Sequence, residues 1–556
     1  MSRDETRSWA ECEIDKANRV ADEARRIIED SQLRMKRLCV VLNSTTSINQ
    51  LPDELLVEIL RYVHPGTSNL DLKQLIRATH VCQRWRVIAL NAPLLWAAIR
   101  FDIHHRTRRI DAAEMCMQRS RDALLHVNID QDAFNLAMRL LYAEDHRIAS
   151  LRLESRTGKY ELSRIAPRLN SMTILDTLEM TIRSFRSEVG LYLPSQCSQL
   201  RRIWMENVRL RVSTPLTSLN RLELSTPVED LAGWLSLMKN CPNLEFLSLE
   251  QTRLSLQPPA FEPEDSSDEG RVHRRQVMCN LRTLKLRLDL DCMSVIFQRM
   301  VFPQTTRITL TVNSVSRIPS VVASTIAVVR QMSTFDTLVS STQSMHVMGM
   351  LDIKLYAWST PDGSGEPLLR LTVPNLPTRP GQTALAMRQI TEPLASSPLT
   401  FLSLDPTWND GLDAPTYLEL LCRYPLLQEL RVIHEYSVFP VLAALRGTVA
   451  TSGGVVCVEL KILRIVPLDL VETAKEVLDL LQYRSMRGSR LRELHFIGSH
   501  ESIVDAAVKE QLRGLVDVFG FSDGGNSLFY WQLYHHFAPC KLPFAGAEQS
   551  KRALFE

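Results

Sequence analysis

Residues 244–249 read LEFLSL, and this pattern of apolar positions, L-x-x-L-x-L, recurs throughout the 556-residue chain. Moving toward the N-terminus it returns as LNRLEL at 219, LRRIWM at 200, LDTLEM at 175 and IASLRL at 148. Moving toward the C-terminus it returns as LRTLKL at 281, LTFLSL at 399, LQELRV at 427, LKILRI at 460 and LRELHF at 491. The central apolar positions Leu151, Leu178, Ile203, Leu222, Leu247 and Leu284 are 27, 25, 19, 25 and 37 residues apart. A core of alternating apolar residues is a strand that buries one side and exposes the other. The segments between, such as VEDLAGWLSLMKNCPN at 228–243, have helical spacing. Strand followed by return helix, repeated at a nearly constant period, predicts an α/β solenoid with parallel strands on its concave side. Ten strands spaced at about 4.8 Å span roughly 45 Å, enough for a protein–protein interface.

The pattern resembles leucine-rich repeats of an irregular kind, because the Asn or Cys expected a few positions after the last leucine is mostly absent. Between Leu310 and Leu399 the period fails. There, residues 351–373 read as two strands joined by a Gly-rich turn, a hairpin that pairs with the solenoid or covers one edge. The 37-residue step contains QPPAFEPEDSSDEGRVHRR, residues 257–275, whose prolines and segregated charges predict a disordered loop. Ser266 and Ser267 sit among its acidic residues, where an acid-directed kinase is the alternative to a plain solvated loop. Outward strand positions carry mixed charges and aromatics. Among them Trp204, Phe246, Phe401 and Arg431 are the candidate client contacts, since interfaces favour aromatic and Arg residues.

Toward the N-terminus, residues 11–42 lack Pro and Gly and place Ile14, Ala17, Ala21, Ala24, Ile28, Met35 and Leu38 at helical spacings. This amphipathic helix has a short, Ala-rich stripe, for which packing against the rest of the chain is expected and self-association as a coiled coil is the alternative. NSTTSINQ breaks it. LPDELLVEILRYVHPG follows from Leu51: Pro52 suits a first helical turn, Asp53 and Glu54 face the positive end of the helix dipole, and His64-Pro65-Gly66 stops the helix. Leu51, Leu55, Leu56, Ile59 and Leu60 give four turns a broad apolar face. DLKQLIRAT and HVCQRWRVIAL supply two further helices, and NAPLLWAAI ends the third at Pro93.

Leu51-Pro52, the apolar run through Ile59-Leu60, Val81-Cys82 with Trp85, and Pro93-Leu94-Leu95-Trp96 together resemble the F-box. The charged helix before them is similar to the leader found in the large F-box families of mushroom-forming fungi. The resemblance implies a three-helix F-box docking on a Skp adaptor and, through it, on a cullin. The implied adaptor-binding residues are Leu51, Pro52, Leu55, Leu56, Ile59, Leu60, Val81, Cys82, Trp85, Pro93, Leu95 and Trp96. A plain three-helix bundle with core tryptophans is the competing reading. The organisation expected is a helix and linker over 1–47, the F-box over 48–100, a helical connector over 101–147, repeats over 148–520 and a tail over 521–556.

Composition narrows the function. With a net charge of +2 and a pI near 8.0, no global field draws the chain to nucleic acid or anionic lipid. The basic run RFDIHHRTRRID at 100–111 lacks interleaved aromatics and reads as a connector. No apolar run reaches membrane-spanning length, and the charged start lacks a signal-peptide core. Eleven scattered cysteines without a C-x-x-C pair point to reduced, mostly packed thiols in a cytoplasmic or nuclear protein. No phosphate-loop, dinucleotide, nucleophile-elbow or zinc-protease motif is present, and no His, Cys and Asp set has metal spacing, so no cofactor is expected. The expectation is a non-catalytic substrate receptor of a Skp-cullin-F-box ubiquitin ligase with an unknown protein client. A scaffold that uses its F-box without a cullin is the alternative.

Overall fold

The structure is a computed structural model. It describes residues 3–522 except 64–68, 102–107, 131–132, 156–158, 184–189, 213, 227–230, 252–274, 314–320, 350–351, 374–381, 407–411, 434–436, 448–453, 468 and 499–502. Two compact units divide the chain, Met1–Ser218 and Leu219–Glu556.

The first unit begins with helix α1 (Arg3–Ser44), followed by α2 (Asp53–Val63), α3 (Asn69–Ala78) and α4 (Gln83–Asn91). α1 is a separate rod whose apolar side chains from Ile14 to Leu42 stay exposed, so the expected packing against the rest of the chain is not met. Ion pairs such as Arg7–Glu11 at 3.0 Å and Lys16–Glu13 at 2.7 Å support it along its own surface. After the 3₁₀ turn Pro93–Trp96 the chain enters strand β1 (Ala98–Phe101), then α5 (Arg108–Ser120) and β2 (Leu125–Ile129). β3 (Ile148–Ser155), β4 (Thr177–Ile182) and β5 (Arg202–Glu206) follow. All five strands pair in parallel in chain order. The connector expected to be helical therefore contains a sheet strand: Leu125, Val127 and Ile129 are buried in alternation and pair with β1. The sheet starts inside the stretch assigned to the F-box, at Ala98.

The second unit holds β6 (Arg221–Thr226), β7 (Phe246–Gln251), β8 (Thr283–Leu288) and β9 (Arg307–Val312), then β10 (Ser344–Gly349), β11 (Ile353–Trp358) and β12 (Leu369–Val373). It continues through β13 (Phe401–Pro406), β14 (Glu429–Val432), β15 (Ile462–Ile465), β16 (Glu493–Ile497) and β17 (Val518–Ser522). Each of the ten L-x-x-L-x-L segments ends in a strand of one unit or the other, and its leucines are core. The register stacks like on like: Leu222, Leu247 and Leu284 are neighbours, as are Leu402, Leu430, Leu463 and Leu494.

A backbone device sets many of the steps. One carbonyl just before a strand accepts the two consecutive N–H groups that open the next strand. Glu245 O takes Arg282 N and Thr283 N, Gln428 O takes Lys461 N and Ile462 N, and Lys461 O takes Arg492 N and Glu493 N, all at 2.8–3.0 Å.

The irregular stretch is a meander spliced into the parallel sheet. β12 lies beside β9, β11 and β10 follow in antiparallel pairing, and β10 pairs in parallel with β13. The hairpin of β11 and β12 is thus interior to the sheet and covers no edge. Antiparallel neighbours need only a turn, which Gly363 and Gly365 supply at positive φ, with Trp358 Nε1 donating to Gly365 O at 3.1 Å. The insertion at 257–275, apart from Arg275, and the tail beyond Ser522 lie outside the described residues. Of the ten cysteines described, five are buried, one is half-buried and four are exposed, so packing accounts for fewer thiols than expected.

Buried arginines hold corners that leucines cannot. In the first unit Arg147 donates to Ser120 Oγ and Ala123 O, each at 3.0 Å. In the second, the fully buried Arg484 donates to Val456 O, Cys457 O and Ser489 O at 2.8, 2.8 and 3.1 Å. Arg484→Leu leaves three carbonyls without those donors, and we expect a loss of about 3 kcal/mol in stability by urea unfolding. A change below about 0.5 kcal/mol contradicts this role.

Candidate functional site

The entry to α2 is organised by a residue of α4. Pro52 precedes the first helical turn, where its missing N–H costs nothing, and its carbonyl accepts from Leu56 N at 3.2 Å. The Arg84 guanidinium reaches back to this point. It donates to Asn49 O, to Leu51 O at 2.7 Å and to Asp53 Oδ1 at 2.5 Å. Trp85 Nε1 donates to Asn49 Oδ1 at 2.6 Å. Four polar contacts therefore tie the Asn49–Asp53 turn to the first turn of α4.

The twelve residues implied by the F-box resemblance separate by burial. Leu56, Leu60, Leu95 and Trp96 are core of this chain and offer no surface. Trp96 is anchored by its Nε1 donating to Ala89 O at 2.7 Å, with the Arg119 guanidinium 4.5 Å from its ring centre. Leu51, Ile59, Cys82, Trp85 and Pro93 are half-buried, while Pro52, Leu55 and Val81 are exposed. Val81 and Cys82 precede α4; Cys82 is its N-cap, in extended conformation. The physical reason for the division is that a short amphipathic helix must spend part of a broad apolar face on its own bundle. The apolar residues that remain outside include Pro52, Leu55 and Val81, together with Leu94, part of the motif but not among the twelve, and Val87, which the sequence reading passed over. Asn49 and Arg84 were missed as well, because reading by hydrophobic spacing passes over polar residues. The loop 64–68 lies outside the described residues.

Residues 48–102 match the family model described as F-box-like, about one tenth of the chain. No curated protein matches this sequence. The chain thus carries an F-box-like domain, a module whose role in ubiquitin ligases is to bind a Skp-type adaptor. Arg84→Ala removes three charge-assisted contacts at the domain's entry. We expect a loss of about 2 kcal/mol and faster amide exchange over residues 49–56, read by hydrogen–deuterium exchange. Unchanged exchange there would show that the turn holds without Arg84.

The four candidate client contacts are placed differently from one another. Trp204 belongs to the first unit, on β5 beside Glu179 of β4, and is half-buried. In the second unit Phe246 is half-buried beneath two cations, with Arg221 4.0 Å and Lys285 5.2 Å from the ring centre. Phe401, expected on the outward surface, is buried, and this corrects the sequence reading. It sits between Ser344 and Glu429 in the register, with the Arg431 guanidinium 5.2 Å from its ring centre. Arg431 also donates to Glu429 at 3.2 Å, and Glu429 accepts from Arg464 at 2.9 Å. Burial lowers the Arg431 pKa, Glu429 opposes this and Arg464 adds to it.

Across the meander this face is closed over. His346, Tyr356 and Ser403 form one register row, and all three are buried. Burial, reinforced by Arg431, holds the His346 imidazole neutral and lowers its pKa from 6.5 to about 3. The unfolded chain therefore takes up a proton at this residue first. Its contribution to stability is complete above pH 6.5 and is lost as pH falls toward 3. We expect His346→Asn to flatten the dependence of the unfolding midpoint on pH between 6.5 and 4, and equal slopes for both proteins would contradict that assignment. Among the described residues no group of His, Cys, Asp and Glu could hold a metal ion, and no helix is long and apolar enough to cross a membrane.

Proposed function

We propose that this protein is the substrate-recognition subunit of a Skp-cullin-F-box ubiquitin ligase. The observation that carries the proposal is the F-box-like domain at 48–102, which leaves Pro52, Leu55, Val81, Val87 and Leu94 exposed after its own core is filled. Exposed apolar side chains around a rigid turn suit an obligate protein partner. The Skp adaptor docks there and links the chain to the cullin. The irregular leucine-rich-repeat-like strands hold a protein client, for which the most accessible candidates are Trp204 and the cation-flanked Phe246.

Such a subunit catalyses nothing. It works by proximity: client and charged conjugating enzyme are held on one assembly, and the client lysine attacks at a raised effective concentration. Nucleic acid and membrane have no part in this reading, which places the protein in the cytoplasm or nucleus.

The test is co-expression with a Skp adaptor followed by size-exclusion chromatography. Leu55→Glu with Val81→Glu alters only exposed side chains, so folding is retained, and circular dichroism checks it. A one-to-one complex for the wild type and at least a 100-fold weaker one for the variant is the expected result. A wild-type chain that forms no complex overturns the adaptor assignment. An adaptor complex that fails to recruit a cullin overturns the ligase assignment.

A further inference from the structure

α1 is 42 residues long, about 63 Å at 1.5 Å per residue, yet from Glu11 to Leu42 its side chains are exposed. Eight of its eleven large exposed apolar residues fall on one stripe, with Trp9, Leu33 and Val40 outside it. Taking Ile14 as the first core position of a heptad, successive core positions fall at Ala10, Ile14, Ala17, Ala21, Ala24, Ile28, Ser31, Met35, Leu38 and Leu42. None of the ten is charged, and the spacing alternates three and four without interruption. Val20, Ile27 and Val41 widen the stripe on one flank. The large members of the stripe are between 56 % and 70 % exposed. A heptad seam of more than four repeats is far longer than a solvated helix requires, and a seam of period 3.5 calls for another helix.

We propose that α1 pairs with the α1 of a second copy of this chain, in antiparallel orientation. The order of residue sizes chooses the orientation. The seam is small in its first half and large in its second. A parallel pair sets Ala17, Ala21 and Ala24 against themselves and Met35, Leu38 and Leu42 against themselves, so the large residues hold the helices apart and the alanines fall short of contact. An antiparallel pair centred on residue 26 sets Ala10 against Leu42, Ala17 against Met35 and Ala24 against Ile28, so small faces large. Ile14 then meets Leu38 and Ala21 meets Ser31, so every core position has a counterpart and three of the five pairings set small against large. Close packing favours this over stacking like sizes along the whole seam.

Charge selects the same orientation. Residues 3–22 hold six carboxylates and four cationic side chains, whereas residues 23–44 hold three and five. Antiparallel pairing lays the acidic half of each helix along the basic half of its partner. Parallel pairing lays like on like. The area suffices as well: burying the stripe on both helices removes on the order of 1,500 Å² from water, within the range of stable interfaces. Two F-box-like domains and two repeat surfaces are then carried on one particle, which allows bivalent capture of a client.

Light scattering coupled to size exclusion on the full chain, co-purified with adaptor where that aids handling, reads the stoichiometry. The expected mass is that of two copies, falling to one in Ile28→Asp with Leu38→Asp. These substitutions lie on a helix that contributes no core to the rest of the chain, so the folded remainder is unaffected. Orientation is read by oxidative cross-linking: chains carrying Ala24→Cys mixed with chains carrying Ile28→Cys form a mixed disulfide dimer. A wild-type mass of one copy at tens of micromolar, or a dimer that the aspartates leave intact, overturns the pairing. Efficient homodimer cross-linking through Ile28→Cys alone overturns the antiparallel arrangement.

Discussion

A parallel strand satisfies neither its backbone nor its leucines alone, and the lateral stacking of equivalent positions is the constraint on which the rest of this structure depends. Leu247 is fully buried, with Leu222 and Leu284 beside it in register. At many steps the carbonyl before one strand accepts two N–H groups of the next and so fixes that register. A slip of one residue would turn every leucine outward. The side chains between the leucines are thereby held on the opposite face at nearly constant spacing. Many are ion-paired across adjacent strands, such as Arg287 with Glu250 at 2.9 Å. Exposed pairs of that kind add little stability but shape what the surface can recognise.

The F-box-like domain solves a different problem. Its helices are too short to be stable singly, and Leu56, Leu60, Leu75, Ile88, Leu95 and Trp96 are committed to a shared core. The Arg84 clamp makes the turn at Asn49–Asp53 rigid without adding apolar volume. Rigid presentation of a few exposed apolar residues costs little entropy on binding, which is what a docking module needs. Because β1 follows Trp96 almost at once and pairs with β2, the module is joined to the first sheet without a flexible linker among the described residues.

Much of this was legible in the chain. The ten strands announce themselves because leucine at fixed offsets leaves little else to form, and the helices of residues 51–91 because their apolar spacing is bounded by Pro52 and Pro93. Other elements were hidden for identifiable reasons. β2 lies in LLHVNI at 124–129, with Val127 and Ile129 where most repeats carry their second and third leucines. β9 has Thr305 at the position of the leading leucine, and the buried Thr306 beside it donates its hydroxyl to Leu281 O at 2.7 Å. The meander breaks the period because two antiparallel turns replace the return helices there. At the site, sequence spacing named the right helices but could not divide their apolar residues between core and surface, since both serve the same periodicity. Phe401 was misplaced for a related reason: alternation gives the face a side chain points to, and Arg431 and the meander decide whether that face meets water.

The most direct test of the account is amide exchange on the full chain with and without a purified Skp adaptor. The account predicts slowed exchange confined to residues 51–62 and 81–97, with the repeat strands unchanged. Slowed exchange over the repeat strands with none in the helices would contradict it, because the adaptor would then be occupying the face assigned to the client.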